Sequence, residues 1–494
     1  MKRRANPILA ILLAVSAMLT MSCGETSEKI DETSSTPSET EKLYPDDLPA
    51  DLNFDGKQVT FLYRAEISSE FYADSENGEV VNDAIFRSMR SVEDRLGVDI
   101  NVVLRDGHYV AARTEYIDHI KSMIRAGDAE YDWVDMMIGL ATVEMSEGIF
   151  QNIADNKYID LDKPWYISSM KDSVAIDGKL YFVTSNASLG YLKSAFCLYF
   201  NNRVIDDFKL ENPYELVDSG KWTLEKLIEM TSAASVDMNG DGKFDLEDKL
   251  GLVEHDNNHE NAYAAPNLIE FYKKDSNGDW KFSYGSEHDI DVCEKLQKMY
   301  TTDGFYKSRV TNAVLEQQEK YNAIASKFCA GDILFITSEL DDAVLQFRNM
   351  KDSYGILPLP KFDEEQTSYR TSSRNTHNSF SMPVTCADTD MAGAVFEALS
   401  SSNYETVYPA YFETALKTKY SRDDDSARMY DIIRDSMYLD FGYTYCNATE
   451  NAIAKVFRAA FANGTSATTL IAQYKEMLET ALDGYIEEVR SNCN

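Results

Sequence analysis

The chain has 494 residues, of which 44% are hydrophobic and 27% are charged. It is too long for one compact core, so the length predicts two or three domains. It carries 83 acidic against 48 basic residues, a formal net charge of −35, and this charge excludes nucleic acid as a partner because it repels phosphates and no basic patch reverses it locally. Neutral or cationic ligands remain compatible with it.

The first residues are typical of an export signal. Three basic residues precede an apolar run over 8–21 that is too short to span a membrane comfortably. The following "TMSCG" resembles the bacterial lipoprotein signal, in which the cysteine becomes the lipidated first residue of the mature protein. Thr20 departs from that signal, since Leu, Val or Ile usually stands three places before the cysteine. We predict a signal peptide over 1–22 and lipidation of Cys23, with ordinary cleavage and full secretion as the alternative.

The stretch after Cys23 has little to bury. "GETSEKIDETSSTPSETEK" consists mostly of Ser, Thr, Glu, Lys and Pro, a composition typical of a solvated chain without a packed core. We therefore predict that residues 23–50 form a disordered linker between a membrane anchor and a folded body.

Six further cysteines follow in the folded part, and none belongs to a CxxC motif or a cysteine–histidine cluster. Structural zinc is therefore not expected. Cys446 and Cys493 are the pair to test for a disulfide, which the sequence leaves open.

The region from residue 57 to 139 alternates between strand and helix patterns. The β-branched and aromatic run "KQVTFLYRAE" predicts a strand, and helical spacing in "VVNDAIFRSMRSVEDRLGV" predicts a helix stopped by Gly97. The strand "VDINVVL", a second helix and the strand "DWVDMMIG" follow. This alternation predicts parallel strands with crossover helices, which is an α/β lobe.

Later segments add a second set of elements. "KWTLEKLIEMTSAAS" predicts an amphipathic helix capped by Thr223. "DILFITSEL", "YGILPLPKF" and "SFSMPVTC" predict strands, and long helical patterns fill most of the chain beyond residue 390.

The segment "DMNGDGKFDLED" has the spacing of an EF-hand calcium loop. Its oxygen ligands at loop positions one, three, five, seven, nine and twelve would be Asp237, Asn239, Asp241, the Lys243 carbonyl, Asp245 and Asp248. Gly242 stands at position six, while position twelve holds Asp instead of Glu. We predict a structural Ca²⁺ ion here, the alternative being a solvated acidic turn. The similar "DLNFDGK" at 51–57 lacks oxygen side chains at positions nine and twelve and is not expected to bind.

The order of several segments resembles a known family. "LYFNNRVID", "GKWTLEKLIEM", the acidic loop, "GLVEH", "YGILPLPKFDEEQTSY" and "SFSMPVTCADTDMAGAVFEAL" together resemble the extracellular solute-binding proteins of ABC importers. The similarity is to the carbohydrate-type family one lipoproteins of Gram-positive gut bacteria, and more distantly to maltose-binding protein. It covers almost all of the chain after the linker.

The resemblance implies a two-lobed, periplasmic-binding-protein-like (type II) α/β fold whose lobes close on a ligand around a hinge of two or three segments. Carried onto this chain, lobe one is 55–198 plus 386–420 and lobe two is 199–385 plus 421–494. The hinge strands include 198–201 and 380–384.

The resemblance also implies the function: a monomeric lipoprotein on the outer face of the bacterial cytoplasmic membrane that captures a solute and delivers it to ABC permease subunits. The expected solute is a sugar or oligosaccharide, with peptides or cationic solutes as alternatives.

Ligands of open α/β sheets gather beyond the carboxyl ends of the strands, and sugar sites combine aromatic platforms with multidentate polar groups. On that basis the candidate ligand-binding residues are Tyr63, Arg64, Glu66, Gly139, Leu140, Ser185, Asn186, Asn257, Glu339, Arg374, His377, Tyr411 and Tyr443.

Enzymatic function is not predicted. The sequence has no GxSxG, GxxxxGK[ST] or HExxH motif. His255 and His259 are four residues apart, but Glu260 lies outside the pair and the residues between them are poor helix formers, so we predict a polar loop at the cleft rim instead of a zinc site. A secreted glycan hydrolase remains the alternative, because 83 acids make chance carboxylate pairs certain.

Overall fold

The computed structural model describes residues 45–308, 314–420 and 424–493. The predicted signal peptide, Cys23 and the predicted linker as far as residue 44 lie outside the described residues. The last part of that linker, 45–50, is packed instead of disordered. Asp46 forms an ion pair with Arg95 at 2.6 Å, and Leu48 belongs to the core.

Within the described residues, eleven strands form two main sheets and a hairpin. They are β1 (Lys57–Arg64), β2 (Val98–Arg105), β3 (Trp133–Met137), β4 (Phe196–Asn201), β5 (Leu250–Glu254), β6 (Tyr272–Lys274), β7 (Trp280–Phe282), β8 (Phe305–Lys307), β9 (Ile333–Glu339), β10 (Tyr354–Leu357) and β11 (Asn378–Ser381). The first sheet has the order β11-β3-β1-β2 and the second the order β10-β4-β9-β5-β8. β6 and β7 pair with each other.

The helices cover both sheets. They are α1 (Val80–Leu96), α2 (Val110–Arg125), α3 (Ile138–Glu144), α4 (Met170–Ser173), α5 (Gly190–Lys193), α6 (Asn202–Phe208), α7 (Pro213–Asp218), α8 (Leu224–Ala233), α9 (Asn257–Asn261), α10 (Glu287–Tyr300), α11 (Val314–Ala330), α12 (Asp342–Leu345), α13 (Thr389–Glu405), α14 (Val407–Pro409), α15 (Asp424–Asp435), α16 (Phe441–Thr444), α17 (Ala459–Ala462) and α18 (Ala467–Asn492). Two π-helical segments, Ala410–Tyr420 and Ile453–Arg458, interrupt the last third of the chain. Among the described residues, no helix is both long and apolar enough to cross a membrane.

The first sheet follows from the predicted alternation. β1 pairs in parallel with β2 on one side and with β3 on the other, and α1 and α2 are the crossover helices. Six of the eight residues of β1 are buried, as expected of a central strand covered on both faces. Parallel pairing places the carboxyl ends of these three strands at one edge of the sheet.

The second sheet is mixed. β5 is parallel to β9 and β8, whereas β4 runs antiparallel to β9 and to β10. Thr223 caps α8 as predicted, since its hydroxyl accepts a hydrogen bond from the Lys226 amide at 3.4 Å. The carboxyl ends of β5 and β9 therefore meet at one edge, as those of β1 and β2 do in the first sheet.

Three chain segments that run between the two sheets lie side by side, and we call them the crossing segments: 192–196, 371–377 and 436–438. Ala195 and Ser373 form an antiparallel bridge, and Thr371 and Met437 form a parallel one. The Phe196 amide donates to the Ser372 carbonyl at 3.0 Å. These few backbone hydrogen bonds form a narrow link between two broad sheets, which is the usual construction of a hinge.

The hinge strands predicted at 198–201 and 380–384 are therefore displaced from the crossing segments. Leu198 pairs with Thr337 inside the second sheet, and Phe380 pairs with Asp135 inside the first. Both predicted hinge strands begin a few residues after the crossing segments end. The pattern of a buried strand does not reveal where the chain leaves its sheet, so the sequence could not place this limit.

Two elements also cross the predicted lobe limits. β11, assigned to lobe two, is hydrogen-bonded to β3 of the first sheet. The C-terminal helix α18, assigned to the same lobe, contacts the first part of the chain through an ion pair between Arg490 and Asp177 at 2.6 Å and a hydrogen bond from Asn492 to the Ser146 carbonyl at 2.9 Å. Long-range pairing of edge strands and terminal helices leaves no local sequence signal.

The six cysteines of the described residues are all free thiols. Cys446 and Cys493 do not form the disulfide suggested as a test. The Cys446 sulfur accepts from the Asn375 carboxamide at 3.2 Å, while the Cys493 thiol donates to the Met145 carbonyl at 3.0 Å.

Candidate functional site

A cavity of about 450 Å³ lies where the carboxyl ends of β1, β2 and β9 meet two crossing segments; we call it the cleft. Its lining residues are Glu66, Ile67, Ser69, Glu70, His108, Tyr109, Lys193, Ser194, Glu339, Asp341, Asp342, Leu345, Arg374, Thr376 and His377. Five of these are acids and two are permanently charged bases. Residues that follow strands of the first sheet form one wall of the cleft, and residues that follow strands of the second sheet form the other. Both walls lie at sheet edges of the kind where open α/β sheets bind ligands.

Arg374 is the central cation of the cleft. It lies on a crossing segment, and its guanidinium contacts the Glu339 carboxylate at the end of β9 and the Asp256 carboxylate after β5, both at 2.5 Å. Burial alone would lower the pKa of Arg374, but the two carboxylates outweigh it and raise the pKa. Burial would likewise raise the pKa of Asp256 and of Glu339, yet Arg374 holds both lowered. All three groups are therefore charged at neutral pH.

Two histidines stand behind this network. His259 Nδ1 accepts a hydrogen bond from the His255 amide at 3.1 Å, and His259 Nε2 lies 3.4 Å from the Glu339 carboxylate. Burial lowers the pKa of His255 to about 4. For His259 burial acts in the same direction, but Asp256 and Glu339 outweigh it and raise the pKa.

A zinc site was not predicted at these two histidines. Their ring centroids are 6.4 Å apart, and the described ranges contain no group of three or more His, Cys, Asp or Glu side chains that could hold a metal ion. The polar loop predicted around them is instead the short helix α9, which forms because Asp256 accepts hydrogen bonds from the Asn258 and His259 amides at 2.8 and 3.3 Å.

The first-sheet wall is organised by a buried ion pair. Arg64 and Asp135 pair through two contacts of 2.6 and 3.1 Å, and Arg64 lies 3.3 Å from His108 Nδ1. Burial, followed by the charge of Arg64, lowers the pKa of His108 to about 4. The Glu66 carboxylate accepts from the Gly107 and His108 amides at 3.1 to 3.2 Å, which fixes the loop after β2 against the end of β1.

Lys193 links the two walls. From the crossing segment before β4, its ammonium lies 3.6 Å from Glu70 of the first wall and 3.1 Å from Asp341 of the second. The Tyr411 hydroxyl donates to the other oxygen of Asp341 at 3.1 Å. Burial would lower the pKa of Lys193, but the two carboxylates outweigh it and raise the pKa, so the bridge carries its charge at neutral pH.

Two apolar side chains stand exposed at the mouth of the cleft. Tyr109, from the loop after β2, is 59% exposed, and Leu345, at the end of α12, is 64% exposed. One belongs to each wall, and both line the same cavity. Large exposed apolar side chains on facing walls are expected to become buried when a ligand or the opposite wall meets them.

The candidate residues divide into four groups. Glu66, Glu339, Arg374 and His377 line the cleft. Ser185 and Asn186 line a different cavity. Tyr63, Arg64, Gly139, Tyr411 and Tyr443 are buried, while Leu140 is half-buried and Asn257 accepts from Lys307 at 3.3 Å. The assignment of these residues as ligand contacts stays a prediction.

Burial explains why several candidates lie away from the cleft. The Tyr63 ring stacks on Phe71 with centroids 4.9 Å apart, and the Tyr443 hydroxyl accepts from the Asn375 amide at 3.3 Å. These side chains support the walls from behind. Lys193 and Asp256 were missed, because neither stands at the end of a strand that the sequence predicted.

The acidic loop keeps the turn geometry of the predicted calcium site. The Asp237 carboxylate accepts from the Gly240 and Gly242 amides at 2.6 and 2.8 Å, and Gly242 has the left-handed φ of 75° that position six requires. Asp248, the last ligand position, accepts from the Met238 and Asp245 amides at 2.9 and 3.0 Å. These amide hydrogen bonds hold the carboxylates at the first and last ligand positions in a fixed turn.

No family model matches the chain, and no curated protein matches it. Solved structures match it at the level of the fold. The galacto-N-biose-/lacto-N-biose I-binding protein of an ABC transporter from Bifidobacterium longum, in complex with lacto-N-biose, has a TM-score of 0.54 at 11% identity and covers 90% of this chain and 100% of its own.

Two further solved structures are similar. A family 1 extracellular solute-binding protein from Bifidobacterium longum subsp. infantis has a TM-score of 0.54 at 12% identity, covering 87% of this chain and 100% of its own. The maltose/maltodextrin-binding domain MalE from Bdellovibrio bacteriovorus, bound to maltotriose, has a TM-score of 0.50 at 13% identity, covering 87% of this chain and 100% of its own. At such identities the likeness establishes the fold, and the predicted two-lobed fold like that of maltose-binding protein is confirmed.

Proposed function

We propose that this protein is the substrate-binding lipoprotein of an ABC transporter, which captures a sugar or oligosaccharide in the cleft. The observation that carries the proposal is the polar cleft at the carboxyl ends of both sheets, directly beside the crossing segments. Proteins of the same fold support it, because the Bifidobacterium longum protein holds lacto-N-biose and the Bdellovibrio bacteriovorus domain holds maltotriose.

The chemistry of the cleft suits hydroxyl groups. Carboxylates and a guanidinium that are charged and held in place form strong hydrogen bonds in fixed directions, and Tyr109 offers an apolar ring face. Binding must favour the closed arrangement of the two walls over the open one, since only a difference in affinity shifts such an equilibrium. Closure around the crossing segments would bring Tyr109 and Leu345 onto the solute.

A secreted glycan hydrolase is the second candidate, and one observation favours it. Asp342 and Glu339 line the same cavity, and their pKa values move apart: burial raises that of Asp342 to about 7, while Arg374 keeps that of Glu339 lowered. Carboxyl pairs with separated pKa values are common in glycosidases. The similar solved structures are binding proteins, so we propose that the solute leaves unchanged and that the protein is not an enzyme.

Location and partners complete the proposal. We propose lipidation at Cys23, which would hold the protein at the outer face of the membrane next to the ABC permease that receives the solute. We also propose a structural calcium ion in the loop Asp237–Asp248, supported by the spacing of its oxygen-bearing residues and by its turn geometry. The ion would stabilise the connection between α8 and β5 and would take no part in solute binding.

Isothermal titration calorimetry against neutral mono- and oligosaccharides, peptides and polyamines tests the function, with product analysis after each titration. We expect a sugar to bind and to be recovered intact. Glu339→Gln, which removes a charged acceptor from the cleft, should weaken that binding about tenfold or more. The matched control is Glu364→Gln, an exposed acid outside the cleft, which should leave the affinity unchanged. New reducing ends would establish the hydrolase instead, and tighter binding of a polyamine or peptide would replace the sugar.

A further inference from the structure

A second cavity, of about 360 Å³, lies next to the first crossing segment; we call it the rear cavity. Tyr191 and Leu192 line it, whereas Lys193 and Ser194, which follow directly, line the cleft. The Tyr191 ring stands edge-on to the ring of His377, a cleft residue, with centroids 4.8 Å apart. The two cavities are therefore separated by one layer of side chains on the crossing segments.

The walls of the rear cavity come from elements attached to both sheets. Tyr404 and Tyr408 lie on α13 and α14, which follow β11 of the first sheet, while Arg434 and Asp435 end α15, which packs on β10 of the second sheet. Met437 of the third crossing segment also lines the cavity. A molecule in this cavity thus touches both sides of the hinge.

Aromatic rings dominate the lining. Five of them surround the space: Trp165, Tyr166, Tyr191, Tyr404 and Tyr408. The rings of Trp165 and Tyr404 lie 6.2 Å apart at 57°, so they form an angled aromatic pair in the lining. Aromatic faces with polar edges are the usual platform for a sugar ring.

The lining includes a buried polar atom without a hydrogen-bond partner in the described part of the chain. The Tyr191 hydroxyl forms no hydrogen bond within the described residues, although its side chain is only 6% exposed. Nearly all buried polar groups in proteins are satisfied, and leaving one unpaired destabilises the fold. A ligand oxygen in the cavity would satisfy it, and Asn186 and Ser185 offer further polar groups in the same lining.

The charges of the rear cavity are balanced, unlike those of the cleft. Its lining has two acids and two bases, Asp162, Lys163, Arg434 and Asp435. Arg434 pairs with Asp435 at 2.8 Å, and Lys163 pairs with Asp47 at 2.6 Å. No unpaired charge is therefore left among these two bases to select a charged ligand.

We propose that the rear cavity is a second binding site, which takes an uncharged sugar of one or two rings. The volume is within the range of about 300 to 1,000 Å³ of small-molecule sites, the rings supply platforms, the Tyr191 hydroxyl supplies an unused donor, and the charge balance selects a neutral molecule. This site is additional to the solute site of the cleft.

Calorimetry and Trp fluorescence with glucose, galactose, N-acetylglucosamine, maltose and lactose test the rear site. The unaltered protein and three variants are compared: Tyr191→Phe, which removes the unpaired hydroxyl and keeps the ring, the cleft variant Glu339→Gln, and Trp165→Phe, which removes the indole of the lining. We expect one of these sugars to bind the rear cavity with unchanged affinity in Glu339→Gln, about tenfold weaker in Tyr191→Phe, and with a change in Trp emission that Trp165→Phe abolishes.

The outcomes separate this site from the cleft. Binding that Glu339→Gln abolishes and that Tyr191→Phe leaves unchanged overturns the rear site and supports the cleft alone. Binding that only Tyr191→Phe weakens supports the rear site and removes the support for a sugar in the cleft. Absence of binding by all five sugars overturns the rear site. Tyr408→Phe serves as the second variant if circular dichroism shows that Tyr191→Phe is misfolded, and it should also weaken rear binding.

Discussion

The carboxyl group of Asp342, in the cleft, has an unusually high pKa. Its side chain is buried, and its carboxyl group accepts hydrogen bonds from the Ser338 and Tyr321 hydroxyls. Burial raises its pKa from 3.8 to about 7, and the negative charge of Glu339 adds to the shift while His259 opposes it. Near neutral pH this one residue therefore exchanges a proton with solvent.

The proton of Asp342 makes stability depend on pH. The pKa of Asp342 is higher in the folded than in the unfolded protein. The contribution of its proton to the free energy of unfolding is therefore complete below about pH 4 and is lost as pH rises through about 7. Asp342→Asn has no proton to lose, so we expect its free energy of unfolding to rise by about 2 to 3 kcal/mol relative to that of the wild type as the pH is raised from 5 to 8. Urea denaturation of the ligand-free protein at both pH values measures the change.

The control for this prediction is Asp291→Asn, which replaces an exposed aspartate of α10. It should follow the wild type at both pH values. If Asp342→Asn also follows the wild type, the carboxyl group of Asp342 does not hold a proton at neutral pH.

The acidic loop is the element whose function the sequence spacing predicts most directly. Bound calcium would draw the Asp237, Asp241 and Asp245 carboxylates together and stabilise the folded protein by mass action. At a concentration about 100 times the dissociation constant we expect about 2.7 kcal/mol of added stability, which a thermal melt with and without Ca²⁺ detects. Asp237→Asn combined with Asp241→Asn should abolish the increase.

The chain offers its own control for the calcium site. The turn at 51–57 starts with the same pattern but continues into β1, where positions nine and twelve are the buried residues Val59 and Leu62. Asp51→Asn combined with Asp55→Asn should leave the calcium effect unchanged. Equal melting temperatures with and without Ca²⁺ in the wild type would identify the loop as a solvated acidic turn.

Local sequence patterns were sufficient to predict some strands and helices but not to predict which sheet every strand joins. β1, α1, β2, α2 and β3 follow from strand and helix periodicities within 81 consecutive residues, from Lys57 to Met137. The pairing of β11 with β3 joins residues more than 200 positions apart, and nothing in "NSFS" specifies which sheet it extends.

The candidate site shows the same limit. The rule that ligands gather at strand ends located Glu66 and Glu339, because both directly follow or close a strand. It also selected Tyr63 and Arg64, which are buried because both faces of β1 are covered. The direction of a side chain depends on what packs against its strand, and that information is spread over the whole chain.

At the scale of the whole molecule, closure of the cleft is the central expectation. Leu345 is exposed on the second wall and would be buried when the walls close, contributing on the order of 1 kcal/mol to the closed state. Leu345→Ser should therefore weaken sugar binding about fivefold and reduce the ligand-induced fall in the radius of gyration. Calorimetry and small-angle X-ray scattering measure the two effects.

Met477→Ser is the matched control, since Met477 is an exposed apolar residue on α18 that does not line the cleft. It should change neither measurement. A radius of gyration that stays constant on saturation with a bound sugar would show that the walls do not move.

The anchoring of the C-terminal helix α18 has a practical consequence for handling the protein. Cys493, which follows α18, is buried, and its carbonyl accepts from the Tyr181 hydroxyl at 3.2 Å. A purification tag fused directly after Cys493 would lie next to this packed side chain. A flexible Gly/Ser spacer before such a tag would keep immobilisation on a resin or sensor surface from pulling on the fold.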